Sequence, residues 1–348
     1  MPIAWNKLDL AAAEARARWD AFCLEPPGAA TLFHSSAWAR LLVRVYGATC
    51  LSRFQAAADG RISRLLPLFA VRTVMGQRRL VSIPHAPYGG LLPGVTSDLL
   101  AAALPPPGAL PAPLKLRCPD PEPADTAQLT PDERITMWLD LPSSAEPLWN
   151  GFNAKVRNQV RKAEKEGVTV AAGRAELLPD FHTLYSRRMH ELGTPAHSLA
   201  FFEALLAEFA GAEILVARHD DEPVGALLDV EWGGWRVNLY GASVFAQRAL
   251  CANPLAYWTS LRRAVEHGRT RYDFSRSKFA SGQYEFKRQW GAVPHRIHEF
   301  SARRTSSGAW QLQPAAPELA NPWLPRLWQR LPFPVAAWLS KRLRRYVF

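Results

Sequence analysis

The sequence contains few cysteines and no long apolar run. Its 348 residues include four cysteines, which lie far apart at Cys23, Cys50, Cys118 and Cys251. This spacing provides neither a CxxC pair nor a zinc-binding pattern, so we expect reduced thiols and no metal site. No apolar stretch approaches the ~18 residues of a spanning helix, and charged residues throughout the first twenty positions argue against a signal peptide. These absences predict a protein that is made and kept in the cytoplasm.

Two kinds of catalytic arrangement are also missing. No Ser–His–Asp or Cys–His arrangement is apparent, so we expect no covalent intermediate on the protein. His190 and His197 have no partners at the helical spacing that a metal site would need. We therefore expect His190 to be a packed or hydrogen-bonded helix residue and His197, in the loop with Thr194, to be a candidate pocket residue.

Negative charge is scarce. The 42 lysines and arginines outnumber the 31 aspartates and glutamates, which gives a formal net charge of +11. Such a balance favours anionic partners: nucleic acid, phosphorylated precursors or an anionic membrane surface. The alternative explanation of the net charge is a general bias of the composition towards arginine, without a functional role. The length suits two domains of ~100–200 residues each.

The stretch from Arg271 to Gly291 concentrates the polar chemistry of the chain. Arg271–Phe274 alternates polar and apolar residues, as a half-buried strand does. We expect the strand to end at Asp273 and a polar loop to follow, with Lys287 between aromatic residues. Ligand sites in α/β proteins tend to lie just past strand ends. The alternative is a solvated basic loop with Asp273 paired to an arginine.

This stretch resembles a known family. Asp273–Ser277 (DFSRS) and Gly282–Gly291 (GQYEFKRQWG) resemble the closing motif of the Fem-type transferases, which are tandem acetyltransferase-like (GNAT) proteins that attach amino acids to peptidoglycan precursors. Lys155–Gly167 and Leu192–Ser198 match two further signatures in the same order. The pattern is most similar to the FemAB-related proteins encoded with exosortase (PEP-CTERM) and exopolysaccharide systems, over about residues 33–300.

The order of predicted elements fits this resemblance. Strands at Glu213–Ala217, Pro223–Val230 and Trp235–Ala242 form a meander in the second half, with turns at Asp220–Asp221 and Gly233–Gly234. A single long helix is expected from Glu146 to Gly167. The resemblance implies an α/β (α+β) fold of tandem GNAT-like domains, each a mixed, largely antiparallel sheet flanked by helices. We expect domains at 1–142 and 143–300, with an extended proline-rich linker at Pro105–Gly108 inside the first.

Acyl or aminoacyl transfer needs a proton acceptor and a group that holds the oxyanion, and particular residues are candidates for these roles. Lys287 would stabilise an oxyanion, and Asp273 would accept a proton or orient an amine. Arg276 would grip a phosphate or carboxylate. The further candidates for substrate binding are Tyr284, Tyr88, His197, Lys155 and Arg157. For Tyr88 simple packing is the alternative, and for the two basic residues it is a solvated helix face.

The donor implied by the resemblance is aminoacyl-tRNA rather than acyl-CoA. A CoA site uses Gln/Arg-x-x-Gly-x-Gly/Ala at a helix N-terminus, where glycines let the backbone approach the pyrophosphate. In the nearest match, Gln247–Ala252, Leu250 replaces the first glycine. We expect no bound cofactor, with acyl-CoA as the alternative co-substrate. A basic, catalytically degenerate adaptor for membrane or nucleic acid stays open as a different class of function.

The C-terminal residues 301–348 form a predicted basic, amphipathic helical tail. Residues 319–348 contain no acidic side chain. Asn321 and Pro322 favour a helix start, and Trp and Leu on one side with Arg on the other is typical of a helix in a membrane interface. The sequence therefore leaves two readings: peripheral docking on the inner membrane face, or packing on the protein's own body.

Overall fold

A computed structural model describes residues 4–25, 30–94, 96–104, 114–305, 310–315 and 323–347. The expected linker at Pro105–Gly108 and the helix start at Asn321–Pro322 lie outside these residues. Internal contacts divide the chain into a first unit (Met1–Pro121, Ile297–Leu319 and Arg345–Phe348) and a second unit (Glu122–Arg296 and Ala320–Arg344).

The elements follow in chain order. Up to residue 140 they are β1 (Trp5–Lys7), α1 (Ala13–Leu24), α2 (Ser36–Tyr46), β2 (Thr49–Cys50), β3 (Arg53–Ala56), β4 (Ile62–Leu66), β5 (Phe69–Arg72), β6 (Arg78–Val81), α3 (Ser97–Ala103), β7 (Leu114–Pro119) and β8 (Arg134–Asp140). The next are α4 (Ala145–Gly151), α5 (Ala154–Lys165), β9 (Thr169–Gly173), α6 (Leu178–Glu191), α7 (Leu199–Glu208), β10 (Ala212–His219), β11 (Glu222–Trp232) and β12 (Trp235–Ser243). The last are α8 (Ala252–Glu266), β13 (Arg271–Lys278), α9 (Gly282–Arg288), β14 (Val293–Arg304), β15 (Trp310–Pro314), α10 (Trp323–Arg330) and α11 (Phe333–Leu343).

The first unit contains two sheets. Strands β1, β3 and β4 form an antiparallel sheet, and the strand order of the other is β2-β5-β6-β7-β14-β15. In the second of these, β6 and β7 are parallel and the other neighbours are antiparallel. Helix α2 shows why its sequence is helical: Ser35 accepts a hydrogen bond from the Trp38 amide at its start, and Gly47 ends it in the left-handed region. Trp38, Leu41 and Leu42 face the core from successive turns.

The second unit is built on a mixed sheet. Its strand order is β14-β8-β13-β12-β11-β10-β9, with residues Val293–Arg296 of β14 at one edge. All neighbours are antiparallel except β12 and β13. The three strands β10–β12 confirm the predicted meander. Each unit thus has one parallel strand pair among the described residues.

The parallel pairing of β12 with β13 is short, and the two strands separate where it ends. It joins only Trp235–Val237 to Arg271–Asp273. Beyond these residues β12 continues along β11 as far as Ser243, whereas β13 continues along β8 as far as Lys278. The two strands therefore separate directly after Val237 and Asp273.

The predicted long helix from Glu146 to Gly167 is wrong in one respect, because it is two helices. The Asn153 side chain accepts a hydrogen bond from the Val156 amide (2.9 Å) and so starts α5 anew after α4. Helix α5 carries an apolar stripe at helical spacing, in which Val156, Val160 and Ala163 are buried in one core with α8.

The contacts divide the chain at different places from those expected from the sequence. Strand β8 belongs to the second unit and is not the last strand of the first domain. The reason is its pairing with β13, which extends from one end of β8 to the other, Arg134 to Asp140. The expected tail is likewise shared: β14 and β15 contribute to the first unit, and α10 and α11 pack against α6 of the second. Among the described residues, no helix is both long and apolar enough to cross a membrane.

Candidate functional site

A buried carboxylate lies at the point where β12 and β13 separate. Asp273 is fully buried, and its Oδ1 accepts hydrogen bonds from the Thr136 hydroxyl (3.0 Å) and the Ser275 amide (2.7 Å). The second bond is possible because Ser275 sits at a β-bulge with φ of 61°. The bulge turns the Ser275 N–H back towards the carboxylate.

Lys287 uses the other side of the same bulge. Its Nζ donates hydrogen bonds to the backbone oxygens of Ser275 (2.9 Å) and Arg276 (2.9 Å), and the side chain is only 7% exposed. Helix α9 carries it there, and the Ser281 side chain caps that helix by accepting from the Tyr284 amide. The predicted polar loop is thus wrong in form: β13 continues past Asp273, and a short helix follows.

Burial changes the acid–base behaviour of Lys287. Loss of solvent lowers the pKa of its amine to about 7, Asp273 acts in the opposite direction, and Arg276 lowers the pKa further. Charged and neutral forms therefore coexist near neutral pH. Such a group can stabilise a developing negative charge or exchange a proton during a reaction.

A pH-dependent stability follows from this shift. In the unfolded chain Lys287 has its ordinary pKa of 10.5, so between about pH 7 and pH 10 the unfolded state binds the extra proton. Stability should therefore rise with pH in this window by about 1.4 kcal/mol per pH unit from this residue. Denaturant unfolding at several pH values, compared with Lys287→Met, measures this contribution. The exposed Lys278→Met is the matched control, and an identical pH slope in wild type and Lys287→Met would contradict the shift.

The other residues predicted in this stretch take different positions. Tyr284 lies one turn before Lys287 on α9 and is buried against Phe279, with ring centroids 4.9 Å apart. Arg276 follows Ser275 at the bulge, and its side chain is exposed. The structure thus brings Asp273, Lys287 and Arg276 together around one bulge.

The predicted basic residues lie at the start of α5, next to α9. The Asn153 side chain donates a hydrogen bond to the Gln289 backbone oxygen (3.1 Å), which joins the two elements. Lys155 is exposed. The Arg157 guanidinium instead donates to the backbone oxygens of Asn150 (3.1 Å) and Phe152, and so it caps the end of α4.

His197 lies in an aromatic cluster of its own. Its ring is buried and stacks on Phe201 at 4.1 Å, and its Nε2 is 3.2 Å from the Tyr240 hydroxyl. The Arg344 guanidinium lies 2.8 Å from the same nitrogen. Tyr240 comes three residues after the last parallel-paired residue of β12. The His197 cluster and the Lys287 cluster therefore involve the two strands that separate.

Tyr88 belongs to the first unit. It is almost fully buried, and its ring packs edge-to-face on Phe33 at 5.1 Å. Its loop follows β6, a strand of that unit's parallel pair, and Gly89 donates to the Arg117 backbone oxygen (2.7 Å). Within the described part of the chain, no group of three or more His, Cys, Asp or Glu side chains could hold a metal ion.

Thr136, Ser275 and Tyr240 were not predicted from the sequence. Thr136 is the hydroxyl partner of Asp273, and it lies 137 positions upstream on β8. A periodic pattern reveals that β8 is a strand but not which strand it pairs with. Ser275 resembles any loop serine, because a bulge depends on the register of two strands rather than on local composition.

Part of the second half of the chain matches a known protein family. Residues 151–288 match the model of the acetyltransferase (GNAT) domain family. This stretch is therefore similar to GNAT acetyltransferase domains. It contains α5, the separating strands β12 and β13, and both Asp273 and Lys287.

Solved structures extend the likeness over most of the chain. The crystal structure of FemX is 16% identical, with 82% of this chain and 95% of that chain covered and a TM-score of 0.62. A tandem GNAT protein from the clavulanic acid biosynthesis pathway is 13% identical, with 91% and 99% covered and a TM-score of 0.52. A protein of unknown function from Bacteroides thetaiotaomicron is 9% identical, with 85% and 98% covered and a TM-score of 0.50.

At these identities the likeness concerns the fold. It confirms the predicted tandem arrangement of GNAT-like domains. A comparison with curated proteins finds no match.

Proposed function

We propose that this protein is a transferase that forms an amide on an amine of a cell-envelope precursor. The observation that carries the proposal is the buried amine of Lys287, which is held beside Asp273 where the two strands of a GNAT domain separate. Such a site combines a cation, a carboxylate and exclusion of water. The proposed precursor is of the peptidoglycan or exopolysaccharide type, and relatedness to the exosortase-associated group belongs to the same proposal.

The proposed reaction is direct transfer. The acceptor amine attacks the carbonyl carbon of the donor ester, the C–N bond forms, and the ester oxygen leaves with the donor's carrier. The charged form of Lys287 stabilises the oxyanion of the tetrahedral intermediate. Asp273 orients the attacking amine and takes up the proton that the amine loses, and this proton passes to the leaving oxygen.

The remaining predicted residues would bind the substrates. Arg276 and Lys155 are exposed near α9, and we propose that they contact anionic groups. Tyr284, His197 and Tyr88 pack against other aromatic rings, and we propose that they shape the substrate pockets. Arg157 is the weakest of these assignments because two backbone carbonyls already engage its guanidinium.

The proposed donor is aminoacyl-tRNA. The net charge of +11 suits a polyanionic co-substrate, and Leu250 interrupts the glycine pattern that a CoA pyrophosphate uses. Peripheral contact with the anionic inner face of a membrane is part of the proposal, because precursors of the cell envelope are assembled there on lipid carriers.

An acyl-CoA donor is the second candidate, and one observation favours it. Helix α8 follows Cys251, which has φ of 56°, and no described side chain caps its N-terminus. Backbone N–H groups at such a helix start are available for a phosphate. The donor would then release a thiol rather than a tRNA hydroxyl.

A donor assay with purified full-length protein separates the candidates. One arm contains tRNA charged with labelled amino acids, the other contains acetyl-CoA, and both contain amine acceptors extracted from cell envelopes. We expect protein-dependent transfer of label from tRNA to the acceptor fraction and no release of free CoA thiol. Thiol release without transfer from tRNA would favour the second candidate, and inactivity in both arms with retained tRNA or membrane binding would favour an adaptor.

A further inference from the structure

Helices α10 and α11 both expose large apolar side chains, and we call this set the tail face. Its members are Trp323, Leu324, Leu327, Val335 and Trp338. The two tryptophans are 57% and 54% exposed, although tryptophan is normally one of the most buried residues on average. Exposed apolar groups that cluster in this way mark an interaction surface.

Both helices are nevertheless held against the second unit, because specific hydrogen bonds join them or the turn between them to α6 and the loop after it. The Ala196 amide donates to the Ser340 hydroxyl (3.1 Å), and the Gln329 side chain donates to the Glu191 backbone oxygen (2.7 Å). The His190 ring nitrogen lies 3.0 Å from the Leu331 backbone oxygen, and Ala336 is buried. These contacts fix one side of each helix on α6 and on the loop after it.

Basic side chains border the tail face. Arg326 and Arg330 are exposed on α10, and Lys341 and Arg342 are exposed on α11. The Arg342 guanidinium lies 3.9 Å from the centroid of the Trp338 ring. Residues 319–348 contain no aspartate or glutamate that could neutralise them.

We infer that the tail face binds the surface of an anionic lipid bilayer. Tryptophan and leucine insert at the level of the headgroups, while arginine and lysine stay at the polar boundary and attract anionic lipid. A second copy of the chain is a poorer occupant, because two such faces would bring their basic side chains together. Each helix is amphipathic and short, which suits an element that lies in the interface plane.

The inner side of the tail gives this docking a consequence for the substrate. Ser340 contacts the backbone before His197, and Arg344 contacts the His197 ring. When the tail face docks, the His197 cluster would therefore be in contact with a segment that is bound to the membrane. The acceptor would then be an amine on a lipid-anchored molecule. This consequence rests on the proposed function, whereas binding of the tail face to vesicles is measured without any transferase activity.

The test uses the full-length protein and vesicles of phosphatidylcholine with or without phosphatidylglycerol. We expect co-sedimentation that requires phosphatidylglycerol and weakens with salt. Lys341→Gln with Arg342→Gln should lower the partition coefficient about 30-fold. The matched control is Arg78→Gln with Arg79→Gln, which removes the same charge from exposed neighbours on β6 and should change binding far less.

A second pair of variants tests the apolar contribution. Trp338→Ser should weaken binding and reduce the blue shift of tryptophan fluorescence on adding vesicles. Met75→Ser, at a position that is 85% exposed on a turn of the first unit, should do neither. Equal losses in the tail and control variants, or binding that does not depend on anionic lipid, would overturn the inference. Self-association that Trp338→Ser abolishes would overturn it in favour of a second copy.

Discussion

Replacement of Lys287 by alanine should lower turnover about 10²–10³-fold while the protein stays folded. The loss is expected because the amine donates hydrogen bonds to the Ser275 and Arg276 backbone oxygens beside Asp273. This position is buried, so solvent water does not take over the role of the amine. The fold should survive, since burial already disfavours the charged amine and its removal relieves that penalty. Steady-state transfer rates, together with circular dichroism and a melting curve, measure both parts.

Arg288→Ala is the matched control for this substitution. Arg288 is the next residue on α9, and its exposed guanidinium pairs with Glu285 on the same helix. Its loss should leave turnover within a few-fold of wild type. Near wild-type turnover of Lys287→Ala would remove the amine from the mechanism, and an equal loss in both variants would indicate a general disturbance of α9.

The largest expected effect on stability comes from Arg236 on β12. Its guanidinium is fully buried and donates to the carboxylates of Asp229 (3.0 Å), Glu231 (2.8 Å) and Glu213 (2.6 Å). Asp229 is itself completely buried. Arg236→Met should therefore cost about 3–5 kcal/mol, because it takes the Arg236 cation away from the buried Asp229 carboxylate. The free energy of unfolding from a denaturant titration measures this cost.

A paired control and a rescue variant sharpen the test. Arg262→Met removes an exposed ion pair with Glu266 and should cost at most about 1 kcal/mol. Combining Arg236→Met with Asp229→Asn should recover part of the loss, since the most deeply buried carboxylate is then neutral. A cost for Arg236→Met no greater than that for Arg262→Met would show that water or rearrangement compensates the network.

Local patterns in the sequence were sufficient for the regular elements. The meander β10–β12 was predictable because its strands alternate and its turns carry Asp220–Asp221 and Gly233–Gly234, which adopt left-handed conformations at three of these four positions. The apolar stripe of α5 was predictable from its helical spacing. Both features depend only on residues close together in the chain.

Features that depend on distant residues could not be predicted. The bulge at Ser275 results from the register of β13 against β8, which is more than a hundred residues away. The continuation of β13 past Asp273 has the same cause. For the tail, an amphipathic pattern fits both packing and membrane docking. The structure shows hydrogen bonds from α10 and α11 to the second unit, while the large apolar side chains of both helices remain exposed.

Isotope tracing in cells tests the central claim most directly. Cells that lack the wild-type copy would express either the wild-type protein or Lys287→Ala at equal level, and labelled amino acids would be followed into purified cell-envelope glycans and peptides. The account predicts an amide-linked label that is present with wild-type protein and reduced to background with Lys287→Ala. Equal labelling in both strains would contradict the assignment of Lys287 and of the transferase reaction to this site.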